Sequence, residues 1–343
     1  MSNKKTIKKI LKFSPMYFNP REDEVIYLNL NVSDMCNYRC IKCFQGKMTP
    51  SLDSFDLPEL IKIIDQAKKE LNIKAMYISG RGETFFVGSG NLEKKLENYK
   101  NLVKHANSIG IAIIQFTNGY YLTPDMVDFL VNHNISIVVS FDTLNEEKYN
   151  QLFGSPPGAF QKVKSNIEYA RKHFAVETND IKYYRFGINT AINHANINEI
   201  NEIKKYCQDD IIFFSNYPMI KGSFKENLKE MCLTKQEYEE FKLKVKETSE
   251  YKWLMGICQN GACGFYYNGI TIDVNGNVLL SPYDIDSGKL FGNITEYPSM
   301  REALKRVRTS IKEFLNKFPD GKTCPLRHSH YNEFYKFVKS KFI

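Results

Sequence analysis

The sequence predicts an α/β protein built on a parallel sheet, followed by a small α+β extension that contains a β-hairpin. Two observations support this. Between residues 20 and 220, short continuous apolar runs alternate about six times with helical patterns. After residue 223 the alternation stops, and a charged stretch leads to a single hairpin pattern. Continuous apolar strands separated by helices are typical of parallel sheets covered by helices, with functional residues at the carboxyl ends of the strands.

The six predicted strands share short runs rich in β-branched and aromatic residues. They are residues 25–31, 76–79, 111–117, 135–141, 184–192 and 211–214.

Two of the intervening helices have clear amino-terminal signals. Leu57 opens a series of apolar residues at intervals of three and four, and Asp56 with Glu59 is expected to cap its first turn. Thr123 and Pro124 open another helix, because the missing N–H of proline costs nothing at a first helical position.

The carboxyl-terminal part has its own signals. Residues 224–252 are strongly charged and predict a helical connector, and Asn275-Gly276 predicts a two-residue hairpin turn within residues 269–280. Ser299 and Glu302 have the spacing of a capping box. The predicted organisation is an amino-terminal extension (1–24), a core (25–222), a helical connector (223–252) and a carboxyl-terminal domain (253–343).

Composition restricts the class of protein. The chain has 343 residues, 43% of them hydrophobic and 25% charged, which suffices for a substantial core. No signal peptide or membrane-spanning run is evident, so the expected location is the cytoplasm, where cysteines stay reduced. The net charge of +8 comes from scattered lysines and favours a solvated basic surface over a nucleic-acid site.

Three cysteines, Cys36, Cys40 and Cys43, stand in eight positions directly after the first predicted strand. A structural zinc site usually has four protein ligands, whereas a [4Fe–4S] cube held by three thiolates keeps one iron open for chemistry. The cluster is the favoured interpretation. A zinc knuckle completed by a distant residue, and simple burial of the cysteines, are the alternatives.

These residues carry a family resemblance. CNYRCIKC resembles the CxxxCxxC signature of the radical S-adenosylmethionine (radical SAM) enzymes, and SGRGE is similar to that family's glycine-glycine-glutamate motif. The resemblance implies a partial (β/α)6 TIM-like barrel, a [4Fe–4S] cluster and SAM as cofactors. It also implies that Gly80, Gly82 and Glu83 hold the methionyl ammonium of SAM. The chain departs from the common motif by placing Arg81 between the glycines.

Polar residues near the ends of later strands extend the resemblance. In the family such residues line the SAM ribose or the substrate pocket, which implies that role for Asn118, Ser140, Asp142 and Asn189. The alternative is ordinary turn chemistry, because Asn-Gly and Asp-Thr after a strand are common loop formers.

The carboxyl-terminal region resembles the SPASM or twitch extension that carries auxiliary clusters in many of these enzymes. The resemblance implies one auxiliary iron–sulfur cluster on Cys258, Cys263 and Cys324. Its fourth ligand would come from His328, His330, Cys232 or the substrate. Ser281 stands where a second hairpin cysteine is expected, so a decayed extension without a cluster is the alternative. Cys207 has helical apolar spacing and is predicted to be core.

The implied activity is reductive cleavage of SAM, followed by removal of a hydrogen atom from a substrate C–H bond. The expected substrate is a small polar metabolite such as a sugar or aminocyclitol, which would be oxidised or epimerised. A maturase acting on a ribosomally made peptide is the first alternative, and a non-catalytic zinc or iron–sulfur scaffold is the second. The expected partners are the substrate and an electron donor such as flavodoxin or ferredoxin, with neither membrane nor nucleic acid. The sequence assigns no further catalytic residue.

Overall fold

The computed structural model describes residues 8–21, 24–46, 55–78, 81–216, 222–246, 268–281, 288–316, 336 and 340. The strands are β1 Lys8–Leu11, β2 Tyr27–Leu30, β3 Ala75–Ile78, β4 Ala112–Thr117, β5 Ile135–Ser140, β6 Glu177–Thr178, β7 Ile181–Tyr184, β8 Phe186–Ala191, β9 Ile212–Asn216, β10 Gly269–Ile272 and β11 Val278–Leu279.

The helices are α1 Pro15–Phe18, α2 Leu57–Leu71, α3 Leu92–Ser108, α4 Pro124–Val131, α5 Glu146–Phe153, α6 Ala159–His173, α7 Ile200–Cys207, α8 Gly222–Glu226, α9 Leu228–Met231, α10 Lys235–Lys246, α11 Gly288–Phe291 and α12 Met300–Leu315. Short 3₁₀ turns occur at Ile197–Glu199 and Ile294–Glu296.

The main sheet has eight strands in the order β11-β10-β2-β3-β4-β5-β8-β9. Strands β10, β2, β3 and β4 are mutually parallel, as are β5, β8 and β9, and β11 is antiparallel to β10. Among the described strands, β11 and β9 are the first and last in this order. The predicted α/β class with a parallel sheet is therefore confirmed, and each predicted strand is present with boundaries shifted by one or two residues.

The chain divides into two compact units. The first unit contains residues 1–18, 37–47 and 116–255, and the second contains residues 19–36, 48–115 and 256–343. Strand β4 begins in the second unit and ends in the first.

Buried aromatic side chains form much of the core of the first unit. Tyr149 and Phe153, on one face of α5, stack at 4.3 Å between ring centroids, and Phe141 stacks with Phe160 of α6 at 6.0 Å. All four side chains are 3% exposed or less. Burial of an aromatic side chain of this size stabilises the fold by about 1.5–3 kcal/mol. Cys207 is also buried in this unit, as predicted.

The first unit contains a second sheet that the sequence analysis missed. Strand β1 pairs in parallel with β7, and β7 pairs with β6. The single strand expected over residues 184–192 is wrong at its beginning, because Tyr184 ends β7 and Phe186 begins β8. Arg185 lies between them, and its guanidinium donates to the carbonyls of Val131 and Ile135. These contacts fix the chain where it passes from one sheet to the other.

In the second unit the hairpin strand β10 pairs with β2, from Gly269 opposite Tyr27 to Ile272 opposite Leu30. The predicted two-residue turn is wrong. Five residues join β10 to β11, and the Asp273 carboxylate accepts hydrogen bonds from the backbone N–H groups of Asn275 and Asn277, at 2.9 and 2.8 Å. In this loop only Gly276 has a positive φ, whereas the predicted turn requires two such residues.

The two predicted helix caps of this unit have different outcomes. Ser299 Oγ accepts from the Glu302 N–H at 3.2 Å, so the cap of α12 is confirmed. Asp56 precedes α2 but makes no side-chain cap. Its carboxylate instead accepts from Ser89 N at 2.7 Å and Ser89 Oγ at 3.2 Å, because a distant loop competes for the same oxygens.

Candidate functional site

The cysteine loop, defined here as residues 36–46, follows β2 and contains neither helix nor strand. Cys36, Cys40 and Cys43 are half-buried thiols. A turn brings Cys43 N to the Cys40 carbonyl at 3.2 Å, and another brings Gly46 N to the Cys43 carbonyl at 3.3 Å. Cys40 and Cys43 therefore lie in turns that are closed by backbone hydrogen bonds.

The end of helix α5 supports this loop through the main chain. Arg39 N donates to the Phe153 carbonyl and Ile41 N to the Leu152 carbonyl, both at 3.1 Å. Gly154 ends the helix with φ +50°, and a Cβ at this position would lie 2.5 Å from the Arg39 carbonyl oxygen. Only glycine permits both the left-handed conformation and the close approach.

Lys42, between two of the motif cysteines, forms a buried ion pair with Asp142 at the end of β5. The two side chains are 8% and 0% exposed. The Lys42 ammonium also lies 3.8 Å from the ring centroid of Phe153, and Asp142 accepts from Ala191 N at 3.0 Å. Burial raises the pKa of Asp142, while the Lys42 charge opposes that rise. Asp142 was expected to line a ligand pocket; in the structure its carboxylate bonds the cysteine loop.

Asn118, after β4, has a similar contact. Its Nδ2 donates to Asn37 Oδ1 at 2.8 Å, and its Oδ1 accepts from Tyr120 N at 2.9 Å. Asn37 directly follows Cys36. Two predicted site residues, Asn118 and Asp142, are thus brought to the same loop.

Ser140 and Asn189 form a separate pair on neighbouring strands. They stand opposite each other in the register of β5 and β8. Asn189 is 9% exposed, and its Oδ1 accepts from Asn216 Nδ2 at 2.9 Å. Their role in lining a pocket stays a prediction.

The described part of the glycine-glutamate segment packs against the chain just before Cys36. Glu83 N donates to the Met35 carbonyl at 2.7 Å, and a Cβ at Gly82 would lie 2.3 Å from that carbonyl oxygen. Gly82 is therefore required by contact with the protein's own backbone. Glu83 is only 2% exposed. The pKa of Tyr99 is raised by the burial of Tyr99 and by the nearby charge of the Glu83 carboxylate.

Arg81, which departs from the family motif, has a partner in the hairpin loop. Its Nη1 lies 3.6 Å from Asp273 Oδ2, and the two side chains are 16% and 1% exposed. The same carboxylate organises the hairpin loop, so Arg81 ties the glutamate segment to that loop.

The donor chemistry of the cysteine loop suits a cluster. Among the described residues, Asn37 Nδ2 is buried without a hydrogen-bond partner, and so are Nε2 and Oε1 of Gln45. Amide N–H groups are suitable donors to anionic sulfur. Within the described ranges, no three His, Cys, Asp or Glu side chains form a group arranged to hold a metal ion. A cube is ligated at separate iron corners, so its thiolates stand farther apart than the ligands of a single ion.

Several predicted site residues lie outside the described residues: Gly80, Cys258, Cys263, Cys324, His328 and His330. Cys232, another candidate ligand, is half-buried after α9. Lys42 and Asn37 were not among the predicted site residues. Their positions between motif cysteines were the available signal, but nothing local distinguishes them from solvent-exposed residues.

Comparison with known proteins supports the resemblance. Residues 30–190 match the family model described as the Radical SAM superfamily. An AdoMet-dependent heme synthase of Methanosarcina barkeri is 26% identical over 168 residues, which are 49% of this chain and 42% of that protein. A GTP 3′,8-cyclase of Saccharophagus degradans is 27% identical over 202 residues, 54% of this chain and 58% of that protein. The matches thus span about half the length of these relatives.

Solved structures show the same fold. Native anSMEcpe with bound AdoMet and the Kp18Cys peptide aligns with 92% of this chain and 96% of its own, at a TM-score of 0.59 and 17% identity. The predicted α/β fold, with its partial TIM-like barrel, is confirmed at the level of the fold. The cysteine loop and the glutamate segment both lie within residues 30–190, where this chain is similar to the Radical SAM superfamily.

Proposed function

We propose that this chain is a radical SAM enzyme whose Cys36, Cys40 and Cys43 hold a [4Fe–4S] cluster. The observation that carries the proposal is the three-cysteine loop after β2, inside the matched domain. When bound and reduced, such a cluster supplies one electron for cleaving SAM to methionine and a 5′-deoxyadenosyl radical, which removes a hydrogen atom from a substrate. The alternative of a non-catalytic zinc scaffold is less well supported, because the named relatives are a synthase and a cyclase.

The chain's own residues have distinct parts in this proposal. Glu83 supplies a buried carboxylate for the methionyl ammonium of SAM, and Gly82 lets its segment approach Met35 closely. Lys42 and Asn37 fix the cysteine loop through Asp142 and Asn118. Because these contacts are buried, the cysteines are held without dependence on exposed side chains.

For the substrate we propose a small polar metabolite such as a sugar or aminocyclitol, oxidised or epimerised at a C–H bond. The relative named as a GTP cyclase gives a precedent for small-molecule chemistry. A peptide substrate is the second candidate, favoured by the fold-level likeness to anSMEcpe with a bound peptide over 92% of this chain. Short precursor peptides encoded beside the gene would favour the second candidate, and sugar-modifying enzymes the first.

We further propose one auxiliary cluster on Cys258, Cys263 and Cys324, in a carboxyl-terminal domain of residues 253–343. An electron donor of the flavodoxin or ferredoxin type would reduce the SAM-binding cluster. Among the described residues, no helix has the length and apolar content that crossing a membrane requires.

The test is anaerobic reconstitution with iron and sulfide. The reconstituted protein should be brown and release 5′-deoxyadenosine when SAM and dithionite are added. A colourless protein with stoichiometric zinc would contradict the proposal.

Cysteine variants separate the two clusters. Replacing Cys36, Cys40 and Cys43 together by alanine should abolish SAM cleavage but leave about four irons per chain, the content of one auxiliary cube. Adding Cys324→Ala should remove most of that iron. Cys207→Ala, at a buried core cysteine, is the matched control and should keep both the iron and the cleavage.

A further inference from the structure

The cysteine loop contains a side-chain donor whose orientation is fixed, although no residue in the described part of the chain accepts a hydrogen bond from it. Asn37 lies between Cys36 and Cys40, and its Nδ2 is buried without a hydrogen-bond partner. A buried amide group without a partner costs about 1–3 kcal/mol. A ligand that accepts a hydrogen bond from Asn37 Nδ2 would offset this cost.

A chain of hydrogen bonds determines which end of the Asn37 amide is available. The Tyr120 N–H can only donate, so the atom of Asn118 that accepts from it at 2.9 Å must be Oδ1. Asn118 Nδ2 consequently faces Asn37 and donates at 2.8 Å, so the facing atom of Asn37 is Oδ1. The amide nitrogen of Asn37, with two N–H donors, is left to point elsewhere.

Contacts with neighbouring elements restrain the loop that carries this donor. Arg39 and Ile41 are bonded through their backbone N–H groups to the end of α5. Lys42 is fixed by its buried ion pair with Asp142. The loop is therefore held on the carboxyl-terminal side of Asn37 by these main-chain and side-chain contacts. The Asn37 side chain itself is held by its hydrogen bond with Asn118.

We propose that Asn37 Nδ2 donates a hydrogen bond to a sulfur atom of the cluster held by Cys36, Cys40 and Cys43, and thereby raises its reduction potential. The inference rests on the proposed function, because it requires a cluster at these cysteines. Hydrogen bonds to cluster sulfur stabilise the reduced, more negative state more than the oxidised state. Asn37 thus contacts the cofactor and acts directly on the electron affinity of the cluster, and Asn118 is the positioning residue that sets the orientation of the Asn37 amide.

The decisive variant is Asn37→Leu, which keeps the shape of the side chain and removes the donor. Its cluster should be harder to reduce. At a fixed potential the ratio of reduced to oxidised cluster should fall about tenfold, which for a one-electron couple is a midpoint lower by about 59 mV. The measurement is a redox titration followed by the EPR signal of the reduced cluster, without SAM, in protein that also carries Cys324→Ala so that one cluster contributes.

The matched control is Asn98→Leu in the second unit. Asn98 is also a buried asparagine, and its Nδ2 donates to the Val87 carbonyl at 3.1 Å. This variant loses a buried amide bond of the same kind without touching the cysteine loop, so its midpoint should match that of the parent.

A second measurement needs no variant at Asn37. Protein labelled with ¹⁵N in its asparagine side chains should show coupling of a ¹⁵N nucleus to the reduced cluster in pulsed EPR. Absence of that coupling, an unchanged midpoint in Asn37→Leu, or a shift that occurs only when SAM is present would each overturn the assignment. If the iron content of the parent protein shows that the three cysteines bind no cluster, the proposed function itself fails. An iron-loaded parent with any of the three results above contradicts only the role of Asn37.

Discussion

Replacing Lys42 by methionine should destabilise the protein strongly, because it leaves Asp142 as an uncompensated buried charge. The Asp142 side chain is 0% exposed. After the substitution its carboxylate keeps the hydrogen bond from Ala191 N at 3.0 Å but loses the Lys42 ammonium. Breaking a buried ion pair by removing one partner costs about 3–5 kcal/mol. Methionine keeps most of the length of the side chain, so the loss is chiefly electrostatic.

The second charge can then be removed to test the cause. In the double variant Lys42→Met, Asp142→Asn, no charge is left buried, so its cost should be smaller than the sum of the two single costs by about 2 kcal/mol or more. The control is Lys94→Met, at a lysine whose side chain is 56% exposed and paired with Glu97. An exposed pair of this kind contributes between about 0 and 1 kcal/mol.

The assay is urea unfolding of cluster-free protein, followed by far-ultraviolet circular dichroism at several pH values. In Lys42→Met the pKa of Asp142 rises further above its unfolded value, so the folded state binds more protons than the unfolded state. The stability of the variant relative to the parent should therefore increase as the pH falls through the folded pKa of Asp142 towards its unfolded pKa. Asp142 would not be an uncompensated buried charge if Lys42→Met lowered the free energy of unfolding no more than Lys94→Met does, or if the effects of the two single variants were additive in the double variant.

Three further predictions concern single sites. Glu83→Gln should keep the iron content but weaken SAM binding about tenfold or more in equilibrium dialysis, because a charge-assisted contact is worth about 1.5–3 kcal/mol; unchanged affinity would contradict the assignment. Gly82→Ala should lower the free energy of unfolding by about 1–3 kcal/mol, because its Cβ would meet the Met35 carbonyl oxygen at 2.3 Å, and a neutral result in urea unfolding would show that this backbone shifts easily. Glu237→Gln should lower the free energy of unfolding by about 0.5–1 kcal/mol at pH 7. The reason is that the Glu237 carboxylate accepts a hydrogen bond from Thr234 N at 2.8 Å, and this bond lowers the pKa of that carboxyl. A lowered pKa stabilises the fold above the unfolded pKa, so this difference should disappear as unfolding is measured towards pH 3; a constant difference would exclude the charge as its cause.

The parallel α/β fold was predictable because the spacing of apolar residues along the chain indicates which positions of each strand and helix are buried. Continuous apolar runs marked the strands, and residues at intervals of three and four marked α2. The hairpin was predicted from Asn275-Gly276, but its loop was not, because Asp273 is drawn into the turn by two backbone N–H groups and by Arg81. The cap expected at Asp56 failed for the same kind of reason, since Ser89 competes for its carboxylate.

The class of fold, and the order of the cysteines and the glutamate segment along the chain, can be inferred from local sequence patterns. The contacts of the polar side chains near them depend on the folded arrangement. Lys42 meets Asp142 across 100 positions, and Asn37 meets Asn118 across 81. Local sequence patterns do not indicate such pairs. The partner of each loop residue depends on which strand ends lie next to the loop in the folded protein. A buried charge or amide must then bond whatever polar group is within reach, since leaving it unpaired costs several times the net gain of one hydrogen bond.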